Sequence, residues 1–551
     1  MKRASAVAIA VVAGWYLFAF ALIHPLANAP VADSWIYAEA VRWFRHSGEI
    51  RFAGFTAAMP VAQVIYGAAW AALFGLGPAS LNLSIALLGA AAALLMYALA
   101  RRCGAREWQS LAAAGLLMCN PCYLFLSCSF MTEIPFLAAL LGCHLAFANA
   151  DRDNRTSWLW FSAIVAVVAF AVRPFAGAAI VGAIGAILLY DAVRPERERA
   201  DLRSMAAMLA PFVLALGACA AIWVWLTVLK PLPWDLAHHE HNFAYFFAVS
   251  PAEYVRAGLI GPLLYLGIVL SPLALVRLEA RDVDRVLAFG AAIFIASVVV
   301  IKAGNPLPST PEMSCFGGWS NALLLRGMPT RFMWHDGWRW VMTGLGSVGA
   351  AGLIVAAIEV IPTLTRAAAA VLITAAVYWA ASFPLWLFAD RYYLVLVPAG
   401  ALILALAPLP QKRLAKVGAL AMTAAMGLLS LGGTFAYQRG LAAVIEARNL
   451  LEREGVPRRA IDAGYDLNGE ELYRFSGEDT MRAEAGIPMV TSARLDEYTV
   501  AVRPFAGTRV VGRLTWPGPF GLGRRELYVL QRVRTKPRIR HAGTRSTRKG
   551  G

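Results

Sequence analysis

The sequence predicts a mostly α protein, a polytopic transmembrane helical bundle of about 13 spans followed by a small C-terminal α/β domain on the extracytoplasmic side. Three observations predict it. Hydrophobic residues make up 59% of the 551 and charged residues only 15%, against roughly 45–50% and about 25% in a soluble domain. The apolar residues come in long runs, and Leu81 to Ala100 holds no charge at all; about 20 such residues cross a bilayer core as a helix. From about residue 436 the runs shorten and charges become frequent.

The N-terminus opens with Met1-Lys2-Arg3, an apolar stretch from Ala4 to Ile23 and then Ala27-Asn28-Ala29. A cleaved signal peptide and an uncleaved first helix are both compatible with that pattern. The apolar stretch outruns the usual signal core of about 7–15 residues, so the uncleaved helix is preferred. Further spans are expected near 81–100, 108–126, 134–149, 157–171, 174–190, 206–228, 258–276, 286–301, 340–361, 367–388, 392–408 and 415–433. Residues 60–77 are apolar but rich in glycine and small side chains, which suits a re-entrant or interfacial helix.

Basic residues orient the bundle. Lys2-Arg3, Arg101-Arg102-Arg106, Arg152-Arg155, Arg194 to Arg203, Arg277 to Arg285, Arg366 and Lys412 to Lys416 alternate onto one side, which the positive-inside rule makes cytoplasmic. Residues 24–80, 127–133, Arg173, 229–257, 302–339 and Asp390-Arg391 then lie outside, as does everything after the last span.

Residues 1–435 form the membrane domain and 436–534 the outer α/β domain. In the latter, Gln438 to Glu454 has helical periodicity through Leu441, Val444, Ile445 and Leu451, and Gly455-Val456-Pro457 stops it. Strands are expected at 460–465, 498–502, 509–514 and 526–533. Residues 535–551 read as a basic disordered tail. The net charge of +16 is largely loop and tail charge. It brings no folded reader module with it, so nucleic acid is not an expected partner. Of seven cysteines, Cys119 and Cys122 make one C-x-x-C with no second pair, which reads as a buried helical pair.

Chemistry concentrates in the outer loops. Asp33 and Tyr37 share one helical face just after the first span. Asp33 either caps an amphipathic helix running to Phe44 or faces a polar cavity. In Ser129-Phe130-Met131-Thr132-Glu133-Ile134-Pro135-Phe136, Thr132 is a candidate N-cap and Glu133 suits the helix dipole. Glu133 is equally a second carboxylate at the depth of Asp33. Two such groups activate an acceptor or hold a cation, so a divalent cation is a candidate cofactor, and no other cofactor is called for. Asp390-Arg391-Tyr392-Tyr393 lies between apolar runs, either as an interfacial anchor or as a guanidinium that grips a phosphate. Arg173 is a second candidate for that task. His238-His239-Glu240-His241 has metal-ligand residue types, although consecutive residues rarely all reach one ion. No Gly-rich phosphate loop, H-E-x-x-H or G-x-S-x-G occurs.

Four of these features together resemble the bacterial polytopic glycosyltransferases of the GT-C superfamily, in the family 39 group related to aminoarabinose transferase and protein mannosyltransferases. They are Asp33-Ser34-Trp35-Ile36-Tyr37, with Pro60-Val61 and Leu73-Phe74-Gly75 after it; Ser129 to Phe136; Arg173-Pro174; and Asp390-Arg391-Tyr392-Tyr393-Leu394 with Pro398. The likeness covers about residues 1–435. It implies a GT-C-like fold in a bacterial inner membrane, a polyprenyl-phosphate-linked sugar donor, inversion at the anomeric carbon and Asp33 as catalytic base. Read from the residues themselves, Glu133 is the second catalytic candidate, and Tyr37, Arg173, Arg391, Tyr392 and Tyr393 are the substrate-binding candidates. The sequence departs from the family at two points. Ser34 stands where a second adjacent acid is common, and Glu133 where Asp is common, a longer arm by about 1.5 Å. The acceptor, a lipid, a glycan or a protein, stays open. A polyprenyl-lipid flippase or transporter also places ionisable residues inside a bundle, and an envelope scaffold is a third reading.

Overall fold

A computed structural model describes residues 2–24, 29–31, 33–52, 56, 58–193, 201–230, 251–276, 283–300, 325, 336–383, 390–408, 413–464, 466–469 and 497–533. The His238 to His241 cluster and the tail from 535 lie outside the described residues. Among the described residues the chain is mostly helical, with one small sheet near its C-terminus. Its helices are α1 Lys2–Ile23, α2 Ser34–Ser47, α3 Val61–Phe74, α4 Pro78–Arg102, α5 Glu107–Met118, α6 Pro121–Ser127, α7 Glu133–Asp153, α8 Thr156–Phe170, α9 Gly177–Ala192 and α10 Leu202–Thr227. They continue with α11 Pro251–Tyr254, α12 Gly261–Ala274, α13 Val283–Val300, α14 Asp336–Val360, α15 Arg366–Ser382, α16 Asp390–Tyr393, α17 Val397–Leu406 and α18 Arg413–Arg453.

Every predicted span meets a helix or a run of helical turns. Among the described residues, eight helices are long and apolar enough to cross a membrane, or nine if the bent pair α5 and α6 counts as one span. The other predicted spans fall on helices of 15, 18, 17 and 10 residues, namely α8, α13, α15 and α17. At 1.5 Å per residue these are shorter than the roughly 30 Å hydrocarbon core. The 14-residue α3 is shorter too, in line with the expectation of a non-spanning segment.

Two local devices shape the bundle near the site. The α5–α6 pair bends by 66°. Asn120 makes that bend: its side-chain oxygen accepts from the backbone N–H of Cys122 at 2.9 Å, Pro121 starts α6, and its amide nitrogen donates to the Tyr265 hydroxyl at 3.1 Å. Cys119 and Cys122 are both buried there. The second device is the close packing of α12 on α14, where a Cβ on Gly267 would collide with the Gly346 backbone and one on Gly349 with the Gly267 backbone. Backbones approach this closely only through glycine.

The composition break at 436 falls inside one unbroken helix. The 41 residues of α18 span about 60 Å at 1.5 Å each, twice a bilayer core. Its first half is apolar. Its second half carries Leu441, Val444, Ala447 and Leu451 into the same buried cluster as Val500, Trp516, Leu527 and Val529 of the sheet. Gly455, at φ +84°, ends the run as expected. The sheet consists of β1 Ile461–Asp462, β2 Tyr498–Ala501, β3 Thr508–Pro517 and β4 Arg524–Arg532 in the order β1-β2-β4-β3. β1 runs parallel to β2, and the other pairs are antiparallel. Among the described residues the expected strand at 460–465 is two residues long, and the Asp462 side chain at its end accepts from Asn468 and the Gly464 backbone, which turns the chain out of the ladder after it.

Candidate active site

The start of α2 places the first carboxylate. The Ser34 hydroxyl accepts from the Val31 N–H at 2.8 Å. Ser34, standing where the resembled family often has an acid, thus serves the backbone. Asp33 occupies the N-cap position of α2, yet its side chain makes no capping bond. It accepts instead from Arg391 Nη1 at 3.2 Å. Tyr37, one turn on, is buried. Burial, with the Asp33 carboxylate beside it, raises the pKa of its phenol and holds the proton on.

The same diversion occurs at α7. Thr132 sits at the N-cap without a capping bond, and its hydroxyl accepts from Arg173 Nε at 2.7 Å. Glu133 Oε1 accepts from Arg173 Nη2 at 2.6 Å and lies 3.7 Å from Arg391 Nε. Glu133 Oε2 is buried with no hydrogen-bond partner among the described residues. The loops are tied together from α3. Gln63 Nε2 donates to the carbonyls of Phe130 and Met131 at 3.2 and 3.4 Å, and the Ala62 N–H donates to the Ala171 carbonyl at 3.0 Å.

Arg391 joins the two carboxylates. Its Nη2 donates to the Tyr392 hydroxyl at 3.2 Å, and its backbone N–H to Asp390 Oδ1 at 2.8 Å. The guanidinium carbons of Arg391 and Arg173 lie 5.0 and 5.5 Å from the centre of the Tyr392 ring, both within cation–π reach. Tyr378 fixes that residue from α15 by donating to the Tyr392 carbonyl at 3.1 Å. Tyr393 turns the other way: its hydroxyl donates to the Ala257 carbonyl at 2.8 Å and its ring packs on Tyr265.

Asp33, Tyr37, Glu133, Arg173, Arg391 and Tyr392 are therefore gathered at one end of the bundle, and Tyr393 supports the helix beneath them. The side chains are graded in exposure, 26% for Asp33, 16% for Arg391, 9% for Arg173 and 1% for Glu133. Asp33 is the member that meets solvent, and Glu133 is the buried anchor for both arginines. Asp33 and Glu133 oppose Arg173 and Arg391, with the buried Asp390 carboxylate against the Arg391 backbone N–H. Burial opposes the charge on Arg173 and Arg391, and their anionic and phenolic neighbours more than offset it, so both pKa values are raised. A guanidinium already lies between Asp33 and Glu133. Among the described residues no group of three or more His, Cys, Asp or Glu is placed to hold a metal ion.

Residues 60–225 match the sequence model of the dolichyl-phosphate-mannose-protein mannosyltransferase family. The chain resembles the GT-C polytopic glycosyltransferases. The matched stretch holds Gln63, Thr132, Glu133 and Arg173; Asp33 and Arg391 lie outside it and reach the cluster through the fold. No curated protein matches the chain in sequence. Among solved structures, the archaeal oligosaccharyltransferase AglB from Archaeoglobus fulgidus, in complex with an inhibitory peptide and a dolichol-phosphate, is 14% identical at a TM-score of 0.41, over 82% of this chain and 59% of its own. The chain thus spans about three fifths of the length of AglB. ArnT from Cupriavidus metallidurans bound to undecaprenyl phosphate is 16% identical at a TM-score of 0.40, over 95% of this chain and 97% of its own.

Thr132, Tyr378 and Gln63 were not legible as site residues. Thr132 carried a capping signal that its hydroxyl does not use. Tyr378 and Gln63 lie inside apolar helices, where a single polar group gives no hint of the distant carbonyl it serves.

Proposed function

We propose that this chain is an integral membrane glycosyltransferase that moves a sugar from a polyprenyl-phosphate donor to an envelope acceptor, with inversion. The observation that carries this reading is the solvent-facing Asp33 carboxylate bonded to Arg391, with the Glu133–Arg173 pair buried behind it. The family model matched by residues 60–225, named for a dolichyl-phosphate-linked mannose donor, supports it. We place the reaction on the outer face of a bacterial inner membrane, with the N-terminus cytoplasmic, as the loop charges suggest.

The chemistry follows from charge. A sugar phosphate anion competes with Asp33 for Arg391, and a guanidinium grips a phosphate through two N–H groups. Asp33 is released as Arg391 turns to the phosphate. The freed carboxylate takes the proton from an acceptor O–H or N–H. That oxygen or nitrogen attacks the anomeric carbon from the face opposite the phosphate. The C1–O bond breaks, and the polyprenyl phosphate leaves with the electron pair, its negative charge met by Arg391. Glu133 holds the Arg173 guanidinium in place and keeps its negative charge beside Arg391 as that side chain turns. In this reading Arg391 occupies the position a divalent cation between the two carboxylates would need, and no step requires one. The sugar and the acceptor are not specified by this arrangement.

The test is an in vitro transfer assay. Purified protein in nanodiscs receives a panel of radiolabelled polyprenyl-phosphate sugars with envelope extract, beside Asp33→Asn. Label passing to a new product with the unmodified chain alone supports transfer. Intact donor across the panel, with movement of labelled lipid between leaflets of sealed vesicles, would replace it with a flippase.

A further inference from the structure

The turn that follows β1 reaches back to the candidate site. Gly469 lies flat against Trp35, the second residue of α2. A Cβ on Gly469 would fall 2.6 Å from both Cζ2 and Nε1 of that indole, closer than packed side chains tolerate. Trp35 is buried and sits two residues from Asp33. The turn itself is internally bonded. Asp462 Oδ1 accepts from Asn468 Nδ2 at 2.7 Å, Asn468 Oδ1 accepts from the Ala463 N–H at 2.9 Å, and the Asn468 N–H donates to the Gly464 carbonyl at 2.9 Å. Tyr437 fastens it to the long helix: its hydroxyl donates to Asp466 Oδ2 at 2.8 Å. The Tyr437 ring meets Phe125 of α6 edge-on, 4.9 Å between centres. The chain runs from α6 directly into the loop that carries Thr132 and Glu133.

We infer that the described residues that follow β1, Asp462–Gly464 and Asp466–Gly469, form a clasp through which the C-terminal domain sets the position of Asp33 and registers it against the Glu133 arm. Gly469 is a positioning residue, acting on Asp33 through Trp35, and Tyr437 is the pin that holds the turn. The physical basis is burial. Asp462, Asp466 and Asn468 are all nearly inaccessible, Asp462 is bonded to Asn468 and Asp466 to Tyr437, and buried polar groups held by such bonds resist displacement. The turn therefore behaves as a rigid body pressed on the indole. Of the segments that carry the cluster, α2 touches this assembly directly, and the start of α7 is reached through Tyr437 and the preceding α6. The domain is on this account a structural part of the catalytic site. The inference rests on the proposed function only in its kinetic arm.

Hydrogen–deuterium exchange of the full chain in nanodiscs tests it without reference to turnover. Gly469→Ala pushes the indole away, and Tyr437→Phe keeps the ring on Phe125 while removing the pin. Both are expected to speed exchange in peptides covering Ser34–Ser47 about tenfold, while those covering Gly261–Ala274 stay unchanged. With whichever polyprenyl-phosphate sugar supports transfer by the unmodified chain, kcat is expected to fall on the order of a hundredfold and KM for that donor to hold, since a small misplacement costs the chemical step. If Gly469→Ala fails to fold, Tyr437→Phe is read alone. Wild-type exchange over Ser34–Ser47 in the folded variants would overturn the clasp. A chain that transfers no sugar but shows the exchange change would retire the proposed function and leave the clasp standing.

Discussion

Arg391 donates to Asp33 across 358 residues of sequence, at 3.2 Å. Neither residue lies in an element that packs on the other by sequence proximity. Both are brought together by the packing of helices that are distant in sequence. The bond consumes the capping capacity of Asp33 and puts a guanidinium between two carboxylates.

Asp33→Asn keeps the shape and an oxygen for Arg391 but removes the proton acceptor. Transfer is expected to drop by about 10²–10⁴-fold, with folding and donor binding kept. Single-turnover assays beside an equilibrium binding measurement check this, and a near-native rate would remove Asp33 from the role of base.

Glu133→Ala leaves Arg173 and Arg391 buried without their shared anion. Breaking a buried pair from one side costs about 3–5 kcal/mol, so thermal unfolding in micelles should shift strongly downward. Glu133→Asp should lie between the two, because a carboxylate withdrawn by about 1.5 Å no longer spans to Arg173. Equal stability of all three proteins would contradict the anchor role.

Arg391→Lys preserves the charge and loses the fork that reaches Asp33, Tyr392 and the neighbourhood of Glu133. Charged hydrogen bonds are worth about 1.5–3 kcal/mol, which predicts a rise in donor KM of roughly ten- to a hundredfold. Initial-rate kinetics over a donor titration reads it; an unchanged KM would show that the phosphate is held elsewhere.

Because Arg391 already separates the carboxylates, chelation is expected to leave transfer unchanged. The comparison is the rate after dialysis against EDTA with the rate after adding back magnesium or manganese. Activity lost on dialysis and restored by either ion would assign the charge stabilisation to a metal.

Gly267→Val and Gly349→Val force two helix backbones apart. Overpacking costs about 1–3 kcal/mol, and more where the clash is with backbone. The expected result is a lower unfolding temperature for each variant, while an unshifted one would mean that α12 and α14 separate freely.

Much of this architecture was legible in the sequence, for a local reason. Leu81 to Ala100 announces a spanning helix because transfer of each side chain to hydrocarbon is nearly independent of its partners. The shorter crossings were less legible. Arg366–Ser382 ends at 17 residues, and hydropathy alone extended it further. Asp33, Glu133, Arg173 and Arg391 were legible as charges out of place in an apolar chain. Their pairing was not, and the capping signals at Asp33 and Thr132 pointed the wrong way, because a cap is a local bond and here the arginines outbid it.

The sequence by itself determined that the chain is a bundle of apolar helices suited to a membrane, and which ionisable residues interrupt them. Only the tertiary structure decided that Glu133 faces inward to both arginines, that Tyr393 turns away from them, and that Gly469 rests on Trp35. Partitioning is a property of each segment and is written in composition. A buried ion pair or a glycine under an indole depends on which distant backbones meet, and no window of sequence contains both partners.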